Sequence, residues 1–147
     1  MLAGRSQAVS ARVAVLAVGV GAPALACDAK QPAFDQGMTL GGREVSAQTL
    51  NHGHDLYRKH CVSCHGEGGA GDGPAAPSLK FPPRNFRTGE FSFVPTGQLP
   101  SHAALVERIR TGVPERGMPP WAMRDEDLGA LADYIKTFSP RWKESES

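Results

Sequence analysis

A chain of 147 residues suits one small domain with some leader or linker sequence. Its 17 Gly and 12 Pro, against 7% aromatic residues, exclude long regular elements and a large core, so a bulky buried ligand would help it fold. The formal net charge is +1 with no basic run, which argues against nucleic acid as a partner.

The first 26 residues differ from the rest. Arg5 and Arg12 form a positive n-region, Val13 to Val20 is an apolar run, and Pro23-Ala24-Leu25-Ala26 gives an A-x-A-like cleavage site. The run is shorter than the ~20 residues of a membrane span, so residues 1–26 read as a secretory signal peptide. Its removal takes away two Arg and leaves 14 Lys+Arg against 15 Asp+Glu. Cys27 follows at once. Leu25-Ala26-Cys27 resembles a bacterial lipobox, although Ala24 stands where a larger aliphatic is usual. Two outcomes stay open: acylation, which would tie the domain to a membrane at ~0.8 kcal/mol per buried CH₂, or a lone thiol in an oxidising compartment.

Residues 27–45, with Pro32, Gly37, Gly41 and Gly42, show no sustained period and read as a tether; no strand pair is expected. The domain is expected to occupy 46–142, with a polar tail at 143–147. A first helix is expected from Ser46 or Ala47 to His60, with Ser46 or Thr49 as N-cap. Leu50, Gly53, Leu56 or Tyr57, and Cys61 share roughly one side. Gly53 costs a helix interior up to ~1 kcal/mol relative to Ala, which points to another helix crossing closely there. Residues 66–83 are too rich in Gly and Pro for regular structure. A second helix is expected over Ser101–Thr111, with Gly112 as its stop, and a third over Asp125–Phe138, with Asp125 as N-cap. The fold class is all-α, three main helices with long loops.

Cys61-Val62-Ser63-Cys64-His65 is the c-type haem attachment motif. Two thiols three positions apart at a helix end can add to the two vinyl groups of one haem, and the next residue presents an imidazole to the iron. A zinc site would need a second paired ligand motif, and a thioredoxin-like pair would need a βαβ context; neither is visible. The sixth iron ligand decides what such a haem can do. Met118, between Gly117 and Pro119-Pro120, sits in a stiff, non-helical stretch that suits a thioether aimed at a fixed iron. Met123, His102 and an open site are its alternatives. His52, His54 and His60 read as surface residues of the first helix.

From about Thr49 to Trp142 the chain resembles the small class I bacterial cytochromes c. The resemblance rests on Gly53-x-x-x-Tyr57-x-x-x-Cys61, the haem motif, Gly71-Asp72-Gly73-Pro74, Pro77-Ser78-Leu79, Met118-Pro119 and Leu131-Ala132-Asp133-Tyr134-Ile135, in that order. It implies a cytochrome c fold around one covalent haem c, with His65 and Met118 as axial ligands. It also implies a crossing of first and last helices at Gly53, and a proline carbonyl accepting a hydrogen bond from the His65 ring. Pro77 is the best match for that carbonyl and Pro74 the runner-up. Arg84 and Arg87 are candidates to pair with haem propionates and Trp121 to pack at the haem edge, each set against an ordinary surface or core role.

With both axial positions filled, the iron has no place for substrate. The expected function is therefore not an enzyme's. It is that of an exported single-electron carrier between respiratory partners such as a quinol-oxidising complex, a dehydrogenase or a terminal oxidase. A permanent haem subunit of a larger membrane oxidoreductase, and a haem enzyme or sensor with a displaceable sixth ligand, are the alternatives. A periplasmic or outer-membrane-face location follows from the leader and Cys27.

Overall fold

Ser46 starts the first helix: its Oγ accepts the Thr49 backbone N–H at 3.1 Å, and α1 then runs Ala47–His60. The structure, a computed structural model, describes residues 33–144. The expected signal peptide and Cys27 lie outside the described residues. One turn, α2 (Val62–His65), follows α1 directly through Cys61. Residues 66–100 are turns and short 3-10 segments at Ala76–Ser78 and Phe86–Thr88. Ser101 caps α3 (His102–Thr111), its Oγ accepting the Ala104 N–H at 3.2 Å, and Gly112 closes it.

The last long helix, α4, spans Asp125–Lys136, and its N-cap is Arg124 rather than the expected Asp125. The Asp125 carboxylate is drawn instead to the Arg110 guanidinium, at 2.8 Å. Asp125, Glu126 and Asp127 still favour this helix end through their negative charge. The helix stops two residues short of Phe138, and Pro140 precedes a short fifth helix, α5 (Arg141–Glu144), whose Trp142 is buried.

The segment read as a tether contains a strand pair that the sequence did not suggest. Met38–Leu40 (β1) and Arg43–Val45 (β2) pair antiparallel, with Leu40 opposite Arg43. Gly41 and Gly42 both have positive φ, as a two-residue hairpin turn of this hand requires. Leu40 and Val45 are buried, and the Gly41 N–H donates to the Trp142 carbonyl at 2.7 Å.

The core forms where α1 packs on α4. Leu50 and Tyr57 meet Leu128, Leu131, Ala132, Tyr134 and Ile135, and α3 adds Leu105 and Ile109. Gly53 lies at the crossing. A Cβ there would collide with the Ala130 carbonyl oxygen and sit 2.8 Å from Tyr134 Cβ, so the close approach of the two backbones requires the glycine.

Candidate haem site

The motif residues are presented by the end of α1 and the α2 turn. The Cys61 N–H continues α1 by donating to Tyr57, and the His65 N–H donates back to the Cys61 carbonyl at 2.9 Å. The glycine-rich loop folds against this turn: the Gly71, Gly73 and Ala75 N–H groups donate to the carbonyls of His65, Cys64 and Ser63. Tyr57, fully buried, donates its hydroxyl to the Gly66 carbonyl at 2.7 Å. Burial first, then the nearby Cys61 thiol, raises the Tyr57 hydroxyl above its ordinary pKa.

Cys61, Cys64, His65 and Met118 line one cavity of about 1130 Å³, counted out to its open mouth. Its walls are mainly apolar: Leu79, Phe86, Phe91, Phe93, Leu105, Ile109, Val113, Trp121 and Ile135 all contribute. His65 stacks on Phe86, with centroids 4.4 Å apart and planes 15° from parallel. Burial lowers its pKa, against an opposing hydrogen bond to the Arg84 carbonyl. That bond joins Nδ1 to the Arg84 oxygen at 3.1 Å. A carbonyl can only accept, so Nδ1 carries the proton and Nε2 keeps its lone pair for a metal.

The expected acceptor for this ring was the Pro77 carbonyl, with Pro74 behind it. The structure gives Arg84 instead. Residues 82–85 belong to no regular element, and just beyond them the Phe86 N–H is anchored on the Gly69 carbonyl at 2.7 Å, which holds this segment beside the motif. Pro77 sits in the 3-10 segment and does not line the cavity.

Met118 is held by its backbone. It exchanges two hydrogen bonds with Val113, at 2.8 and 3.2 Å, across the tight turn Pro114–Arg116. The Trp121 N–H, on the far side of Pro119-Pro120, donates to the Arg110 carbonyl at 3.0 Å. The loop is therefore tied to α3 on both sides of the methionine. Met123 packs on the core and does not line the cavity. His102 is absent from the lining too; its Nδ1 lies 3.1 Å from both Asp133 Oδ1 and Lys136 Nζ.

Of the weaker candidates, Arg84 and Trp121 line the cavity and Arg87 does not, although both arginines are exposed. Trp121 meets His60 edge-on at 4.9 Å. His60, read as a surface residue, also lines the cavity, as do Arg108 and Arg116, which the sequence did not single out. Arg108 falls one turn before the α3 stop, on the face of Leu105 and Ile109, which is the signal that could have found it.

The residues fit a haem. Two half-buried thiols, an imidazole with a free Nε2 and a thioether converge on an apolar space of suitable size. Among the described residues no group of three or more His, Cys, Asp or Glu could hold a metal ion by itself. Burial, then the Cys64 thiol, push the Cys61 thiol up to about 12.

Fold and site define a c-type cytochrome domain, which binds haem c covalently and transfers electrons through it. The chain belongs to the c-type cytochrome family described as cytochrome c oxidase, cbb3-type, subunit III, whose model matches residues 48–135. Proteins with c-type cytochrome domains are typically extracytoplasmic. A solved structure titled Kuenenia stuttgartiensis reducing HAO-like protein complex Kustc0457/Kustc0458 contains a chain 36% identical to this one. The match has a TM-score of 0.60 and covers 65% of this chain and 44% of that one. This chain thus spans less than half the length of that relative. A second structure, titled KustC0563 c-type cytochrome, is 26% identical with a TM-score of 0.44, covering 59% of this chain and 96% of that one. No match was found among curated proteins.

Proposed function

We propose that the protein is an exported electron carrier whose haem iron is held by His65 and Met118, and which passes single electrons between respiratory partners outside the cytoplasm. One observation carries this: His65 Nε2 and the backbone-pinned Met118 line the same cavity as Cys61 and Cys64. A His/Met pair fills both axial positions and raises the potential relative to bis-His ligation. The haem supplies the redox chemistry when bound. The chain supplies the ligands, keeps the His65 ring in one orientation and lines the pocket with apolar side chains that hold water away. The A-x-A-like site before Cys27 supports export, and the lipobox-like Leu25-Ala26-Cys27 supports acylation. Mass spectrometry of the mature protein tests leader cleavage, acylation and haem addition together. Among the described residues no helix is long and apolar enough to cross a membrane.

The axial assignment is tested by the visible spectrum of the reduced protein under CO. No rapid CO-induced change is expected for the native protein, and Met118→Ala should become CO-sensitive. A CO response in the native protein, or none in the variant, would reject Met118.

A second function is favoured by the comparisons. The matched family is described as an oxidase subunit and one related chain belongs to a multi-protein complex, which supports a permanent haem subunit. Isolation in mild detergent separates the two, since a stable stoichiometric partner would speak against a free carrier.

A further inference from the structure

The backbone anchors of the Met118 loop all lie on one side of the cavity. The loop is tied to α3 through Val113 and through the Trp121 bond to the Arg110 carbonyl. Towards His65, no backbone hydrogen bond holds the loop among the described residues. The segment that meets it there is 79–83, whose Leu79, Phe81, Pro82 and Pro83 line the same cavity as Met118. That segment is braced on the haem motif. A Cβ on Gly71 would lie 2.5 Å from the Pro83 carbonyl oxygen, and the Gly71 N–H donates to the His65 carbonyl at 2.9 Å. One wall of the cavity is thus fixed to His65, and the other, with Met118, to α3.

Two contacts join these walls next to Met118. A Cβ on Gly117 would lie 3.5 Å from Leu79 Cδ2, an ordinary van der Waals distance, so the two segments touch there. One residue earlier, the Arg116 guanidinium carbon lies 4.9 Å from the centre of the Phe81 ring. Arg116 is exposed and has no ion pair or side-chain hydrogen bond among the described residues. The ring is the partner it has. A π face attracts a cation, and a guanidinium, weakly hydrated and planar, suits it better than an ammonium does. Lys80 Nζ, 5.4 Å from the same ring centre, adds a second cation. Phe81 is half-buried in the cavity wall. It is therefore a fixed point, and Arg116, two positions before Met118, is the loop's handle on it.

We propose that Phe81 is a positioning residue for the sixth iron ligand: its contact with Arg116 closes the Met118 loop onto the motif side of the cavity and slows departure of the thioether from the iron. This rests on Met118 as that ligand. Loss of the contact leaves the backbone bonds to α3 intact, so Met118 is still the ligand but leaves the iron more often.

The test is imidazole exchange in the haem-loaded ferric protein, followed by stopped-flow absorbance. The iron–sulfur bond breaks, an imidazole nitrogen takes the vacated position, and no electron moves. At saturating imidazole the rate is that of loop opening. Phe81→Leu keeps an apolar wall but removes the π face, and should speed exchange about two- to fivefold, the worth of an exposed cation–π contact. Arg116→Gln should also speed exchange in the native background and add nothing in Phe81→Leu. Phe81→Tyr keeps the ring and should exchange at the native rate. Phe34→Leu removes an aromatic contact with Tyr134 outside the cavity lining and should leave the rate unchanged, which a general loss of stability would not. The methionine–ferric charge-transfer band, absent from Met118→Ala, is recorded first. If the native protein lacks it, Met118 is not the ligand and the proposal falls with that reading. With the band present, the proposal is overturned if Phe81→Leu or Arg116→Gln exchanges at the native rate, if Phe81→Tyr exchanges as Phe81→Leu does, or if Phe34→Leu is as fast as they are. Should Phe81→Leu retain no haem, Arg116→Gln and Phe81→Tyr decide.

Discussion

Replacing Gly53 with alanine isolates the contact on which the α1–α4 crossing depends. Gly53 is in ordinary helical backbone, so alanine brings no strain and gains ~1 kcal/mol of helix propensity. Against this, the new Cβ would collide with the Ala130 carbonyl oxygen and lie 2.8 Å from both the Ala130 carbonyl carbon and Tyr134 Cβ. None of these is the free end of a flexible side chain, so the helices themselves must move apart. A gap of ~0.5–1 Å forfeits a quarter to a half of each dispersion contact across the crossing. Overpacking costs ~1–3 kcal/mol, and a backbone obstruction puts this site at or beyond the upper end. The net loss should be about 2 kcal/mol. At ~4 °C per kcal/mol for a domain of this size, Tm falls by about 8 °C. Thermal unfolding of the haem-loaded variants by far-UV circular dichroism, at matched haem content, measures it. Gly68→Ala is the control. A Cβ there meets nothing within 4 Å and φ is not positive, so the change should be neutral or stabilising by up to ~1 kcal/mol. If Gly53→Ala melts at or above the native protein, a close helix crossing is not why glycine stands there.

Three further outcomes follow from the buried polar groups. Tyr57→Phe removes one of two hydrogen bonds to the Gly66 carbonyl, which keeps the Gly69 N–H at 3.2 Å, and should cost ~0.5–1.5 kcal/mol in denaturant titration, with the haem still attached. Asp133→Asn leaves Lys136, buried with it at 3.0 Å, without its counter-charge, and should cost about 3 kcal/mol at neutral pH. Burial raises the Asp133 pKa, but hydrogen bonds from His102 and Lys136 outweigh it, so the folded value lies below the ordinary 3.8. A depressed carboxylate stabilises the fold above the unfolded value and loses that contribution as pH falls through the folded one. Unfolding free energy of the native protein should therefore drop as pH falls below 3.8, and the Asp133→Asn variant should show a shallower drop. An equal slope in both proteins would mean that Asp133 is not the group responsible.

Much of the site was legible because it depends on local chemistry. Cys61, Cys64 and His65 are neighbours in the chain, so a single α2 turn suffices to present them. The three long helices declared themselves by apolar period and by caps such as Ser46 and Ser101. Gly53 advertised a close crossing because glycine is otherwise costly in a helix. The hairpin at 38–45 escaped because its strands are three residues long, so alternation has too few positions to show. Its Gly41-Gly42 turn was visible but read equally well as a flexible linker. The Arg84 carbonyl also escaped, since any residue can supply a carbonyl and only the path of the chain chooses which one.

Haem attachment is thus written in five consecutive residues and needs no tertiary structure to be read. What tertiary structure decided is the surroundings: which carbonyl orients His65, which of Met118, Met123 and His102 lines the cavity, and which arginines face it. His102 instead contacts the buried Asp133–Lys136 ion pair, residues more than thirty positions away. Such choices are made by contacts distant in sequence, and a residue's type does not record which neighbours it will meet.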